Sequence, residues 1–98
     1  MAGMIFEWDE AKDLANQRKH GVGFKEAARV FADPLRLTQH DRLENGEVRW
    51  QTIGEAGPYR ILLVAHLIWD EADNEVIRII SARPVTRHER RDYEEQDR

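Results

Sequence analysis

The sequence predicts an α+β fold in which helices pack on an antiparallel sheet and a further helix ends the chain. Three observations support this class. Apolar residues in the first third recur with helical spacing, at Phe24, Ala27, Ala28 and Phe31. Residues 35–83 have the pattern of successive strands and contain the hairpin signal Asn45-Gly46. The pattern Thr86-x-x-Glu89 then matches a capping box, which starts an α-helix.

The first third of the chain is predicted to be one strand followed by two helices. Residues 5–8 form the strand, and Asp9 is the N-cap of the first helix because its carboxylate can accept an unpaired backbone N–H. Gly21 suits the left-handed position that ends this helix. Residues 24–31 form the second helix, which Asp33-Pro34 terminates.

The remaining elements are predicted to be four strands and a helix, in the order β-α-α-β-β-β-β-α for the whole chain. The strands cover residues 35–40, 48–55, 59–69 and 75–83. The third of them is apolar on both faces, so we place it in the centre of the sheet. Thr86 and Glu89 cap the final helix, and one face of the sheet is left open to solvent or to a ligand.

The composition limits the classes of protein to which the chain can belong. Its 98 residues suit a single domain, residues 1–98, with a small core. The chain has no cysteine and begins without the features of a signal peptide, so we expect a cytoplasmic protein. The longest apolar run, residues 61–65, is too short to span a bilayer. A net charge of −4 means that any nucleic-acid site must be a local concentration of positive charge.

Positive charge is concentrated near the end of the chain, where residues 78–91 hold five arginines and one acidic residue. Arg83 lies at the predicted junction between the last strand and the final helix. A guanidinium and a helix N-terminus can bind one phosphate there, and an ion pair with an acidic residue is the alternative. Arg78 and Arg83 fall on opposite faces if the strand is regular. Arg87 is either solvated or bound to a phosphate.

Histidines and one lysine are the candidates for proton transfer. His66 interrupts the apolar strand 59–69, either as a hydrogen-bonded core residue or as a general acid or base. Lys19 and His20 end the first helix, where they interact with the helix dipole and can also reach a substrate. The four histidines lack metal-ligand spacing and no nucleophile motif is present, so we expect neither a metal nor a cofactor.

Two blocks of sequence resemble the BrnT toxin family of bacterial type II toxin–antitoxin systems. The first block is Phe6-Glu7-Trp8-Asp9-x-x-Lys12, then Asn16-x-x-Lys19-His20-Gly21-Val22-x-Phe24-x-x-Ala27. The second is Ile77-Arg78-Ile79-Ile80-Ser81-Ala82-Arg83, then Thr86-Arg87-x-Glu89 and Tyr93. The chain departs from the family pattern at Gly23 and at Pro84, which removes one cation from the expected phosphate site.

The resemblance implies a RelE-like fold and a ribonuclease that inhibits translation. We expect this activity to be that of a metal-independent endoribonuclease. It also implies a cognate BrnA-like antitoxin that neutralises the toxin and forms a hetero-oligomer with it. Operator DNA is then contacted only through the antitoxin, and no membrane is involved.

For cleavage by attack of a ribose 2′-OH on the adjacent phosphate, residue type and predicted placement suggest the following roles. Arg83 binds the phosphate, His66 is the acid or base, and Lys19 with His20 supplies a cation and a second proton-transfer group. Arg87 and Arg78 bind the RNA backbone. Tyr93 contacts RNA or packs in the core.

Two other functions fit the sequence. A non-enzymatic module would dock a partner peptide or strand on the sheet, with Trp50 and Trp69 in the contact surface. A degenerate toxin would keep antitoxin binding and act only in transcriptional repression. Growth arrest on expression alone separates a toxin from a docking module, and binding without RNA cleavage identifies the degenerate toxin.

Overall fold

The computed structural model describes residues 3–96, which form a five-stranded sheet, three α-helices and one 3₁₀ helix. The predicted α+β class is confirmed. Residues 1, 2, 97 and 98 of the predicted domain lie outside the described residues. The elements are β1 Gly3–Glu7, α1 Glu10–His20, α2 Phe24–Ala27, the 3₁₀ helix Ala28–Ala32, β2 Leu37–Glu44, β3 Glu47–Gly57, β4 Arg60–Glu71, β5 Asn74–Pro84 and α3 Arg87–Glu95.

The sheet is mixed, with the strand order β1-β5-β4-β3-β2. Strands β2 to β5 form an antiparallel meander in which β4 is central, as its apolar sequence predicted. Strand β1 pairs with β5 in parallel, from Gly3 opposite Asn74 to Glu7 opposite Arg78. The prediction of a wholly antiparallel sheet is therefore wrong. The helices between β1 and β2 carry the chain from one sheet edge to the other, and β1 covers an edge of β5 that would otherwise be unpaired.

The local signals at the first helix and at the hairpin are confirmed. The Asp9 carboxylate accepts the backbone N–H of Lys12 at 3.1 Å, and Gly21 ends α1 with a φ of 69°. Asn45 and Gly46 have φ values of 52° and 79°, as a tight hairpin turn requires. Strand β2 begins later than predicted and runs up to this turn, because pairing with β3 continues to the end of the hairpin.

The main core lies between the helices and one face of the sheet, which we call the helix-side face. The predicted second helix is α2 followed directly by the 3₁₀ helix, which crosses β3 closely at Gly54. A Cβ atom on Gly54 would lie 2.8 Å from Val30 Cγ1, so glycine permits this approach. The buried core residues include Val22, Phe24, Ala27, Val30, Phe31, Leu62, Val64, Ile77, Ile79 and Ala82. On the opposite face, α3 covers a smaller cluster of Ile53, Ile61, Leu63 and Tyr93.

A β-bulge in β5 changes which side chains share a face. Ala65 of β4 pairs with Ser81, but the next residue, His66, pairs with Ile79, so Ile80 is an extra residue in β5. Alternation along β5 is therefore interrupted once. Arg78, Ser81 and Arg83 all lie on the face that carries α3. Opposite faces for Arg78 and Arg83 were expected only for a regular strand, and the bulge removes that condition.

Candidate active site

Helix α1 lies against the part of β5 that β1 leaves uncovered, and one buried amide attaches it there. The Asn16 side chain donates to the carbonyls of Val22 and Ala82, both at 2.8 Å, and accepts the backbone N–H of Ala82 at 3.2 Å. Asn16 is only 7% exposed. Its amide therefore pairs with the edge of β5 as a neighbouring strand would, and it fixes the position of α1 on the sheet.

This attachment forms a shallow pocket of about 240 Å³ between α1 and β5. Its helical lining residues recur at i, i+4 and i+7 and so share one face of α1. The strand contributes the bulge and the residue after it. The lining residues of this α1–β5 pocket are Lys12, Ala15, Asn16, Lys19, His20, Ile80 and Ser81. Both sequence blocks thus meet at one place, and the predicted pair Lys19 and His20 lies in it.

The cations of the α1–β5 pocket are not neutralised by acidic neighbours. Among residues 3–96, no carboxylate oxygen lies within 4.0 Å of a side-chain nitrogen of Lys12, Lys19 or His20. Asp13, the nearby acid on α1, accepts the backbone N–H of Phe24 at 2.8 Å and is occupied there. Two ammonium groups, an imidazole and a hydroxyl can bind a phosphate and transfer a proton.

Arg83, predicted to bind the phosphate, does not line this pocket. Its guanidinium forms two hydrogen bonds with the Glu89 carboxylate, at 2.8 and 2.9 Å, and a third with the Pro84 carbonyl. The Arg83 hydrogen bonds lower the pKa of Glu89 to about 2, although burial opposes the shift, and the bond with Glu89 raises the pKa of Arg83. The ion-pair alternative is therefore the one observed.

The same carboxylate also caps α3. Glu89 accepts the backbone N–H of Thr86 at 2.9 Å, and the Thr86 hydroxyl accepts the backbone N–H of Glu89 at 3.2 Å. The predicted capping box is confirmed. These hydrogen bonds connect Arg83, Thr86 and Glu89, which we call the β5–α3 junction. The junction holds the final helix on the end of the sheet.

The two arginines predicted to bind the RNA backbone have different surroundings. Arg78 lies 3.7 Å from Glu7, which is too long for a hydrogen bond, and its side chain is 40% exposed. Arg87 is exposed at the start of α3, and within the described part of the chain no acidic group forms an ion pair with it. Both are available to a ligand, but neither lines the α1–β5 pocket.

His66 lies in the main core and does not reach the protein surface. It is 1% exposed, its Nε2 lies 2.7 Å from the Thr52 hydroxyl, and its ring packs edge-on against Phe31. Burial lowers the pKa of His66, although a bond from Nδ1 to the Leu67 carbonyl opposes the shift. The structure supports the alternative of a neutral, hydrogen-bonded core histidine, because the helices cover its face of β4.

Tyr93 is also a core residue, which supports the alternative of core packing over contact with RNA. It is 8% exposed in the cluster under α3, and its hydroxyl donates to Asp33. Burial would raise the pKa of Asp33, but this bond and backbone N–H groups of Glu55 and Leu35 lower it overall. Tyr93 and Asp33 therefore tie α3 to the turn before β2.

The described residues show no grouping of three or more His, Asp or Glu side chains suited to a metal ion. Nor is any helix within residues 3–96 long and apolar enough to cross a membrane.

Sequence reasoning missed Lys12 and Ser81 as site residues. Lys12 stands seven positions before Lys19, and this spacing puts both on one helix face, so the signal was present. Ser81 had no such signal, because its position at the pocket depends on the bulge and on where β1 ends.

Three comparisons with known proteins bear on identity. The profile of the family described as "Ribonuclease toxin, BrnT, of type II toxin-antitoxin system" matches residues 8–89. The solved structure of the Brucella abortus ribonuclease toxin BrnT is similar to the fold, with a TM-score of 0.56 and 21% sequence identity. The match covers 89% of this chain and 100% of that one. Comparison with curated protein sequences gave no match. Because the profile spans most of the chain, the protein belongs to the BrnT family of ribonuclease toxins of type II toxin–antitoxin systems.

Proposed function

We propose that the protein is a metal-independent endoribonuclease toxin that cleaves RNA in the α1–β5 pocket. The observation that carries this proposal is the meeting of Lys12, Lys19 and His20 with Ser81, without an acidic partner for the cations among residues 3–96. On a chain with a net charge of −4, such a pocket is a local site for a phosphate.

The proposed reaction is attack of a ribose 2′-OH on the adjacent phosphate. A base takes the 2′-OH proton, the new O2′–P bond forms, the P–O5′ bond breaks, and an acid returns a proton to O5′. His20 is the proposed proton-transfer group, because imidazole can accept and donate a proton near neutral pH. Lys12 and Lys19 stabilise the added negative charge on the phosphate oxygens.

The arginines have supporting roles in this proposal. Arg83 lies two residues after Ser81 on the same face of β5, about 7 Å along the strand, so it can contact a neighbouring phosphate if Glu89 releases it. Arg78 and Arg87 bind the RNA backbone. His66 and Tyr93 have no part in the chemistry and maintain the core.

Family membership supports the wider proposal. We expect residues 1–98 to act as one RelE-like toxin domain in the cytoplasm and to inhibit translation. A cognate BrnA-like antitoxin would neutralise it in a hetero-oligomer and would itself provide the contacts to operator DNA. Co-purification from the two co-expressed genes, followed by an operator-binding assay with and without the antitoxin, tests these partners.

The decisive experiment is RNA cleavage by purified protein in EDTA, with His20→Ala as the test variant. We expect cleavage without added metal and a loss of about 100-fold or more in the variant. His88→Ala is the matched control, because His88 is an exposed histidine on the outer side of α3. Strict metal dependence, or equal loss in both variants, would contradict the proposal.

A degenerate toxin is the second candidate, and one observation favours it. Arg83 is engaged by Glu89, and His66 is buried, so neither of these two expected catalytic groups is free to contact a substrate. Expression without the antitoxin separates the candidates: an active toxin arrests growth, whereas a degenerate toxin binds the antitoxin and leaves growth and RNA intact. The alternative of a docking module has less support, because its expected contact residue Trp50 packs against His40 on the helix-side face.

A further inference from the structure

The face of the sheet opposite the helix-side face is only partly covered by α3, and the uncovered part carries arginines. Register places Arg78 opposite Leu67 of β4, and Arg42 of β2 opposite Arg49 of β3. Trp50 pairs with His66, so the residue before it, Arg49, lies beside Leu67 on the side of β4 opposite Arg78. Three guanidinium groups thus form a row across the sheet, about 5 Å per strand.

Among residues 3–96, the three arginines of this row form ion pairs with only two glutamates. Glu44 contacts both Arg42, at 3.4 Å, and Arg49, at 2.9 Å. Glu7 lies 3.7 Å from Arg78, beyond hydrogen-bond distance. The Nε atom of Arg49 is buried without a hydrogen-bond partner among the described residues. The row of three arginines faces two glutamates, and its donors are incompletely satisfied.

An aromatic platform lies next to this row. Trp69 follows Leu67 by two residues on β4, so it occupies the same face, diagonal to Arg78. Its indole N–H donates to Glu71 at 3.3 Å, and the side chain is 37% exposed. A tryptophan beside an arginine suits a base and its phosphate, because indole rings stack on any base.

The same face leads directly to the α1–β5 pocket. Ser81 lines the pocket and lies on this face opposite Ala65, which in turn lies opposite Gln51 of β3. Within the described ranges, no hydrogen bond engages the side chains of Ser81 and Gln51. The side chains on the floor between the pocket and the arginine row are therefore small or polar.

We propose that this open sheet face, formed by Arg49, Gln51, Trp69, Arg78 and Ser81, binds the single-stranded RNA that extends from the α1–β5 pocket, with one base stacked on Trp69. The proposal rests on the proposed function for the identity of the ligand. It adds a binding surface and a preference for unpaired RNA, since a base held in a duplex cannot stack on an indole.

The test measures binding separately from cleavage. The probe is a short fluorescent single-stranded oligonucleotide with 2′-O-methyl groups at every ribose, which the proposed reaction cannot cleave. Trp69→Ala should weaken binding about fivefold or more, and Trp69→Phe should restore most of it. Arg78→Ala should weaken binding and reduce the slope of log affinity against log salt by about 0.7. Glu7→Gln should strengthen binding, because Arg78 then loses its acidic neighbour.

Matched controls carry the same chemistry elsewhere. Arg29→Ala removes an exposed arginine from the 3₁₀ helix on the helix-side face, and Tyr59→Ala removes an aromatic ring that is 93% exposed at the β3–β4 turn. Neither should change affinity for the probe. A duplex of the same sequence should bind more weakly than the single strand.

Each result decides between the two proposals. Absence of probe binding by the wild type, or unchanged affinity in both Trp69→Ala and Arg78→Ala, overturns the RNA-binding face even if RNA is cleaved. Loss of antitoxin binding in these variants with unchanged RNA affinity makes the face a protein interface and also overturns it. Binding through this face without cleavage by the wild type supports the face and refutes the catalytic proposal.

Discussion

The protein has two regions of concentrated positive charge that differ in how much of it a ligand can use. At the β5–α3 junction, Arg83 is engaged by Glu89 in two hydrogen bonds, so its charge holds a helix on a sheet. In the α1–β5 pocket, Lys12 and Lys19 have no acidic partner within residues 3–96. The arginine-rich stretch is the more conspicuous in sequence. The availability of positive charge, rather than its density along the sequence, therefore identifies a candidate anion site.

The largest expected effect comes from removing a pocket cation. Lys12→Ala and Lys19→Ala should each lower kcat/KM for RNA about 100-fold, because each removes a group that stabilises charge in the transition state. Thermal stability should change little, since both side chains are exposed. Lys25→Ala, an exposed lysine on α2, is the control and should leave cleavage unchanged. Full activity in both pocket variants would show that the active site lies outside the α1–β5 pocket.

The next effect is on the attachment that shapes the pocket. Asn16→Ala should lower the free energy of unfolding by about 3 kcal/mol, because it removes three hydrogen bonds and leaves buried backbone groups of Ala82 unpaired. Urea denaturation monitored by circular dichroism measures this. Gln17→Ala, an exposed neighbour on α1, should cost little. Similar stability of both variants would show that α1 is held by other contacts.

A smaller effect should distinguish the junction from the pocket. Glu89→Gln should lower the free energy of unfolding at pH 7 by about 1 kcal/mol, since it weakens the bond with Arg83 and the helix cap. Because the pKa of Glu89 is lowered from 4.5 to about 2, its contribution is complete above pH 4.5 and is lost as pH falls towards 2.

The wild type and the Glu89→Gln variant should therefore converge in stability on acidification. The variant should also bind RNA more tightly, because it frees the Arg83 guanidinium. Constant separation of the two stability curves down to pH 2, or weaker RNA binding, would show that the junction charge is not held in this way.

The effect that is smallest at pH 7 concerns His66. Its pKa in the folded state lies below the ordinary value of 6.5, so below about pH 6.5 the unfolded chain binds a proton that the folded chain does not. Stability should therefore fall as pH decreases from 6.5, by at most about 1.4 kcal/mol per pH unit. Thr52→Val should keep this pH dependence of stability, because His66 is still present, whereas His66→Gln should abolish it. RNA cleavage per folded molecule should persist in His66→Gln. Loss of cleavage in this variant would show that His66 takes part in the reaction.

Local features of the fold were predictable because they depend on neighbouring residues. The Asp9 cap, the turn at Asn45-Gly46 and the Thr86–Glu89 capping box follow from hydrogen bonds and backbone angles within a few positions. The central position of β4 followed from its apolar sequence. Lys19 and His20 were likewise identified as a pair at the end of α1, and the structure places both in the pocket.

Features that depend on distant segments could not be predicted from local sequence. The parallel pairing of β1 requires knowledge of which strand edge is free. The bulge at Ile80, which brings Arg78 and Arg83 to one face, depends on how β4 and β5 align. His66 and Tyr93 are buried because other elements cover them, and this covering is not a property of their own strand or helix.

The order of amino acids is enough to identify the family, the helix caps, the turn residues and the residue types available for phosphodiester chemistry. These are encoded over short separations, where backbone sterics and local hydrogen bonds decide the outcome. Which cations remain free depends on contacts between distant segments. Glu89 packs against Arg83 and neutralises its charge. Asn16 brings Lys12 and Lys19 to a strand edge where no carboxylate among residues 3–96 lines the pocket.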